Sequence, residues 1–213
     1  NGSLGNIGSS SSTTIVKNVE NVAGTQYKDI INGDASDNLL IGGYNHSATS
    51  TTPNDDTITG GAGADTIVGD MMIDSSTPSA LYGGDDILSG GSENDKIYGD
   101  AAPIMSTSTL VVASDQSVEY IVDNGVTLAT IYGGNDILQG GAGDDYINGG
   151  SGFDTIDFSS SNAKVYVNLN LNTASGEGND QLYNIENIIG SSSTLGDTLI
   201  GNALVNTITG SLG

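Results

Sequence analysis

The sequence predicts an all-β protein: a right-handed parallel β-roll with loop insertions on one edge and a β-rich C-terminal cap. Three observations carry this. A nine-residue phrase, plainest at 60–68 (GGAGADTIV), recurs at 90–98 (GGSENDKIY), 140–148 (GGAGDDYIN) and 149–157 (GGSGFDTID). In every copy the sixth residue is Asp or Asn and the eighth is apolar. The chain also combines 36% hydrophobic residues with a net charge of −22, so its apolar residues sit in register within a strongly acidic background.

The turns come first. Glycines allow positive φ and close backbone approach, so the first six residues of each phrase make a tight turn that presents carbonyl oxygens. Interrupted or degenerate copies at 33–41, 55–59, 83–89 and 133–139 bring the total to eight turns in one register. A lone glycine-rich loop carries little information, whereas eight in phase specify an architecture. The sixth position places Asp56, Asp65, Asp86, Asp95, Asp136, Asp145 and Asp154 at the ends of the turns, with Asn38 as a neutral substitute.

The strands come next. The last three residues of each phrase form a very short strand whose eighth position points inward: Leu40, Ile58, Ile67, Leu88, Ile97, Leu138, Ile147 and Ile156. Two half-turns make one coil, and coils stack at about 4.8 Å. Aspartates at that spacing repel one another by roughly 1 to several kcal/mol per neighbouring pair, depending on the local dielectric. A hard divalent cation between coils removes the repulsion and takes oxygen ligands, which suits Ca²⁺ better than Mg²⁺. With no Cys and one His, a zinc or other soft-metal site is not expected.

On these residues the chain resembles the repeat region of RTX proteins, the secreted hemolysin-type calcium-binding family, over roughly 19–210. The likeness includes 18–24 (NVENVAG) and 184–190 (NIENIIG), segments that flank or join blocks of rolls in that family. The resemblance implies several Ca²⁺ ions held between turn n and turn n+2. Their ligands would be the sixth-position side chains and backbone carbonyls, placed here at Gly60, Ala62, Gly90, Ser92, Gly140, Ala142, Gly149 and Ser151. It further implies type I secretion, folding outside the cell, and an extracellular or cell-surface location. An ice-binding variant would show a regular Thr ladder, and Thr57, Thr66 and Thr155 are too sporadic for one.

The interruptions follow a pattern. Of the turns 33–38, 42–56, 60–65, 69–86, 90–95, 99–136, 140–145 and 149–154, the second, fourth and sixth carry insertions. Half-turns alternate between the two edges of a roll, so all three insertions are expected on one edge. The other edge is then a plain column through Asn38, Asp65, Asp95 and Asp145. The roll is placed at 29–157, with insertions at 44–53, 70–82 and 100–132. The longest insertion predicts a small β-flap: strands over 118–122 and 126–132 flank the turn-prone Asp123-Asn124-Gly125, and 110–112 adds a further strand. Tyr120 and Met105 are candidates for the flap's own core or for an interaction surface.

Residues 1–28 read as an N-terminal capping or linking segment and 158–213 as a C-terminal β cap. Within the cap, 164–171 (KVYVNLNL) alternates as a strand, a polar loop follows through 175–180, and two degenerate turns end at Asp197 and Asn206. Loss of the glycine phrase there predicts weak calcium binding, or none at Asn206. Repeat rolls need such caps, because open ends expose sheet edges and core. The endings Gly210-Ser211-Leu212-Gly213 and Gly2-Ser3-Leu4-Gly5 resemble an opening nonapeptide, which suggests a module cut from a longer tandem.

Charge excludes some functions. A net charge of −22, from four lysines, no arginine and 26 acidic residues, opposes nucleic-acid and anionic-membrane binding. No stretch is long and apolar enough for a transmembrane helix, and no N-terminal signal peptide is expected if export is directed from the C-terminus, as the resemblance implies. The single His46 lies in a Ser/Thr-rich loop, and no hydrolase, P-loop or dinucleotide fingerprint occurs. Pairs such as Asp55/Asp56 and Asp144/Asp145 are explained by the metal turns, so no enzyme activity is expected.

The sequence therefore supports a calcium-binding structural module of an adhesin, surface layer or extracellular fibre, whose copies could join end to end. An alternative is an accessory module of a secreted enzyme, touching polysaccharide or protein through the looped edge. A third reading is an inert secretion and folding aid.

Overall fold

The computed structural model describes residues 5–6, 21–43, 54–73, 80–103, 108–114, 116–123 and 126–210. The whole of the first insertion (44–53), including His46, and Met105 lie outside the described residues, as do 18–20, 2–4 and 211–213. Among the described residues every regular element is a strand.

The two half-turns of each coil feed two facing sheets. One sheet stacks Asn21–Ala23, Leu39–Ile41, Thr66–Val68, Lys96–Tyr98, Tyr146–Asn148 and Asn179–Tyr183 in parallel. The other stacks Ile30–Asn32, Thr57–Ala62, Ile87–Ser92, Ile137–Ala142, Thr155–Asp157, Asn187–Ile189 and Ile208–Thr209. The fold is thus the expected β-roll.

Register places like residues over like. Leu40, Ile67, Ile97, Ile147 and Leu182 form one interior row, and Ile31, Ile58, Leu88, Leu138, Ile156 and Ile188 the other. All of these side chains are buried and pack into one core. Each contributes roughly 1.5–3 kcal/mol on burial. A half-turn supplies only one of them, so the core is thin for the backbone it must order.

All three insertions do leave from one edge, in the turns that feed the second sheet. The later two pack on each other. Met71–Ile73 pairs in parallel with Ala101–Pro103, and Ala80–Tyr82 adds in parallel to Val126–Tyr132. The longest insertion folds as the expected flap, with Ser108–Val112, Glu119–Asp123 and Val126–Tyr132 in antiparallel succession. Its core is shared rather than private: Leu81 and Met71 of the second insertion join Ala101, Ile121, Ala129 and Ile131 of the third. Tyr120 is half-buried beside it.

The C-terminal segment departs from expectation at 175–180. Residues 173–183 form a hairpin, Thr173–Ser175 against Asn179–Tyr183, and its second strand continues the first sheet on Tyr146–Asn148. Thr173–Ser175 and Tyr166–Asn168 then extend that sheet antiparallel, and Thr198–Ile200 closes it. Leu182 sits directly over Ile147, and burying it there captures the polar stretch that precedes it.

Candidate metal centre

The sixth-position aspartates share one arrangement. Each of the seven accepts, through Oδ1, the backbone N–H of the corresponding residue one coil earlier, whereas Asn38 Oδ1 accepts the Asp34 N–H of its own turn. In the first column the N–H of Asn38 donates to Asp65 at 2.7 Å, that of Asp65 to Asp95 at 2.8 Å, and that of Asp95 to Asp145 at 2.8 Å. In the second column Asp29 donates to Asp56, Asp56 to Asp86 and Asp86 to Asp136, each at 2.7 Å, and Asp136 to Asp154 at 2.8 Å.

The second oxygen is left bare. Oδ2 of Asp56, Asp65, Asp86, Asp95, Asp136, Asp145 and Asp154 is buried without a hydrogen-bond partner among the described residues. A buried acceptor without a donor is costly, and a buried charge more so. A repeated row of them marks a place built for something else.

The first glycine of each turn shows what fits. A side-chain carbon on Gly60 would collide with Asp65 Oδ2 and approach the carbonyl oxygen of Gly90; on Gly90 it would meet Asp95 Oδ2 and the Gly140 carbonyl. On the looped edge Gly42 faces Asp56 Oδ2 and the Gly69 carbonyl, Gly69 faces Asp86 Oδ2 and the Gly99 carbonyl, and Gly99 faces Asp136 Oδ2 and the Gly149 carbonyl. Each missing Cβ thus opens a cradle lined by one carboxylate oxygen and one carbonyl of the next coil. Oxygen-only cradles with a bare carboxylate suit a hard cation such as Ca²⁺. Among the described residues no three acidic side chains converge, so carbonyl oxygens supply the balance of any ligand set.

Electrostatics agree. Burial, aided by neighbouring carboxylates, pushes Asp56 up to about 8 and Asp95 up to about 7. Asp65 and Asp145 are raised by the same burial. Burial and the charges around them hold Asp86, Asp136 and Asp154 well above the usual carboxylate range. Without a cation these groups favour a proton; a divalent ion supplies the positive charge instead.

The structure brings Asn38, Asp65, Asp95 and Asp145 into the plain column and Asp56, Asp86, Asp136 and Asp154 into the looped one. Carbonyls of Gly60, Gly90, Gly140 and Gly149 line cradles. Ala62, Ser92 and Ala142 stack over one another at the third position. Ser151 instead turns its N–H and hydroxyl to Asp100 Oδ2, at 2.6 and 3.1 Å.

Sequence reasoning passed over several members. Asp180 continues the plain column, accepting the Asp145 N–H at 3.2 Å, and burial raises it to about 7. Glu186 continues the looped column, accepting the Asp154 N–H at 3.0 Å through Oε2 while Oε1 stays bare. Asp29 begins that column. All three stand two residues before a buried Leu or Ile, a signal present in the sequence without the glycine phrase. Asp70 and Asp100 replace the second glycine in two insertion-bearing turns and are fully enclosed.

A parallel solenoid with two columns of oxygen cradles is a cation-stapled roll. The RTX calcium-binding nonapeptide repeat matches the chain in four copies, at 19–44, 50–71, 82–102 and 132–157. The chain belongs to this family of calcium-binding repeats. The last three matched stretches are separated by the bulk of the second and third insertions. No curated protein matches the chain.

Proposed function

We propose that this chain is a structural module of a secreted cell-surface or extracellular protein, an adhesin, surface layer or fibre, that folds on Ca²⁺ binding after export. One observation carries the reading: a bare, buried carboxylate oxygen recurs in coil after coil, each facing a carbonyl across a glycine. Where calcium is scarce, mutual repulsion holds the carboxylates apart and the chain open. Where calcium is abundant, each occupied cradle adds RT ln(1 + [L]/Kd) to stability, about 2.7 kcal/mol at a hundredfold excess over Kd. Neighbouring cradles share a coil, so binding is cooperative. The acidic pairs 55/56 and 144/145 belong to these turns rather than to acid–base chemistry.

A calcium titration of the chelated protein, by far-UV circular dichroism with size-exclusion light scattering, tests this. The expected result is a cooperative coil-to-β transition that magnesium does not reproduce. A mass increase on folding favours a fibre or surface layer over a monomeric module. β-Structure that persists in chelator removes the folding switch from the model of function.

A second reading, an accessory module that holds polysaccharide, draws on one feature of the looped edge. Tyr82 and Tyr132 stack there with ring centroids 4.9 Å apart, and Tyr132 is exposed. Exposed tyrosine rings offer faces for sugar rings. Retention on polysaccharide columns that Tyr132→Ala abolishes supports this reading, and passage of the wild type without retardation sets it aside.

A further inference from the structure

One carboxylate reaches the roll from outside every repeat. Glu119 opens the strand Glu119–Asp123 of the flap, so it belongs to the third insertion and to no nine-residue unit. It is 1% exposed, and neither Oε1 nor Oε2 has a hydrogen-bond partner among the described residues. The column aspartates give one oxygen to the backbone; Glu119 gives none.

Its direction shows what it faces. A side-chain carbon on Gly150 would lie 3.0 Å from Glu119 Oε2 and would collide with Asp100 Oδ2. Two carboxylates, one from the flap and one from the second position of the turn that launches it, therefore look into one small space over Gly150. Asp100 is itself fully buried. Its Oδ2 accepts from the Ser151 N–H and hydroxyl, and its Oδ1 from the Gly134 N–H at 3.2 Å, which fixes its orientation and leaves lone pairs free. The charges acting on Glu119 are those of Asp100 and Asp136, both of its own sign. The base of the flap is held on the same coil, where the Gly152 N–H donates to the Gln116 carbonyl at 2.9 Å.

We propose that Asp100 and Glu119 form a separate hard-cation site, outside the two repeat columns, that latches the flap onto the roll. The donors are all oxygen, which selects Ca²⁺ or a similar hard divalent ion completed by carbonyl oxygen and water. The site explains why an acidic residue stands at position 100, where the uninterrupted turns 60–65, 90–95, 140–145 and 149–154 carry glycine, and why an alternating flap strand turns an acid inward. It rests on the calcium reading only in that the roll must be folded for the two carboxylates to meet.

The test is an ion count. Native mass spectrometry of the full chain in excess calcium is compared with Glu119→Gln, which keeps shape and removes charge. The expected result is one ion fewer in the variant, with its far-UV spectrum unchanged. Amide exchange at Ile121, Ala129 and Ile131 should rise about tenfold or more, while Ile97 and Ile147 stay protected. An unchanged count in a variant that still fills its columns overturns the site alone; a wild type that retains no calcium overturns the column reading with it. If the variant does not fold, a wild-type crystal grown with Mn²⁺ decides. An anomalous peak between Asp100 and Glu119 supports the site, and peaks confined to the columns overturn it.

Discussion

The turn 90–95 and the turn 190–197 both run from a glycine to an aspartate that precedes a strand, yet their carboxylates live differently. Asp197 is satisfied at once: Ser191 donates its N–H to Oδ2 and its hydroxyl to Oδ1, each at 2.8 Å, and the Val165 N–H reaches Oδ1 at 3.0 Å. Asp95 accepts the Asp65 N–H on Oδ1 and leaves Oδ2 bare. The difference lies at the second residue of the turn. In 90–95 it is Gly91 with φ 123°, and Gly61 and Gly141 match it at 118° and 97°. In 190–197 it is Ser191, whose φ is not positive. The same closure recurs where Thr25 donates to Asp29 at 2.7 Å, Asp34 to Asn38 at 3.0 Å and Asn202 to Asn206 at 2.8 Å. These self-closed turns lie at the two ends of the solenoid. The middle turns keep an oxygen for a cation, both where the second residue is a left-handed glycine that directs no N–H at the carboxylate, as in 60–65, 90–95 and 140–145, and where Asp70 or Asp100 stands there and Asp86 or Asp136 Oδ2 is still bare. A turn becomes a metal turn by what its second residue withholds.

Calcium removal should separate the two kinds most sharply. In chelator, amide protection at Ile67, Ile97 and Ile147 is expected to collapse, while Val165 and Val167 beside the Asp197 turn lose less. Equal loss at both would mean that the closed turns depend on the columns as fully as the open ones do.

Single substitutions come next. Asp95→Ala removes a ligand from the middle of a column and should cost several kcal/mol in calcium, on the order of one or two site occupancies. Asp197→Ala strands the N–H groups of Ser191 and Val165, worth about 1–3 kcal/mol, and its cost should not vary with calcium. Urea unfolding of both variants, with and without calcium, reads the difference. A calcium-dependent cost at Asp197 would erase the distinction.

pH should act on the open turns and in the direction opposite to ordinary acid denaturation. Their folded-state carboxyls are raised, Asp95 and Asp180 to about 7 and Asp56 to about 8, against an ordinary 3.8. Each proton is therefore held more tightly folded than unfolded. That contribution is fully present below pH 3.8 and is lost as pH rises through about 7 to 8. Metal-free protein should gain β-structure when acidified from pH 8 to 5, and calcium should abolish the trend. A metal-free far-UV spectrum that does not change across this range counts against the burial of these groups.

The smallest effect is expected at the boundary between the two kinds. Asn38 places Oδ1 in the first cradle of the plain column, facing the Gly60 carbonyl, so it offers a neutral oxygen where the next coils offer a charge. Asn38→Asp should tighten one calcium site by no more than about tenfold, equivalent to 1.4 kcal/mol. Isothermal titration of the folded chain measures it, and weaker binding would mean that repulsion from Asp65 outweighs the added ligand.

Much of this was legible in advance because the repeat is local. Position eight falls inside and position six at the turn's end for geometric reasons that hold within nine residues. The alternation of half-turns then placed Asp65, Asp95 and Asp145 in one column and the insertions on the other edge. Asp180 was hidden because its glycines are displaced, although Leu182 two residues on carried the signal. Glu119 gave no signal: in Val118-Glu119-Tyr120-Ile121 an acid in an alternating strand reads as solvent-facing.

By itself the sequence determined the period, the register of apolar residues, the two columns and the need for a hard cation, since each follows from short-range spacing and charge. The tertiary structure decided which carboxylate oxygens are bare, which turns close on themselves, and which flap acid turns inward. Those outcomes depend on donors brought from far along the chain, such as the Asp95 N–H that meets Asp145 across 50 residues, and only the stacked coils bring such groups together.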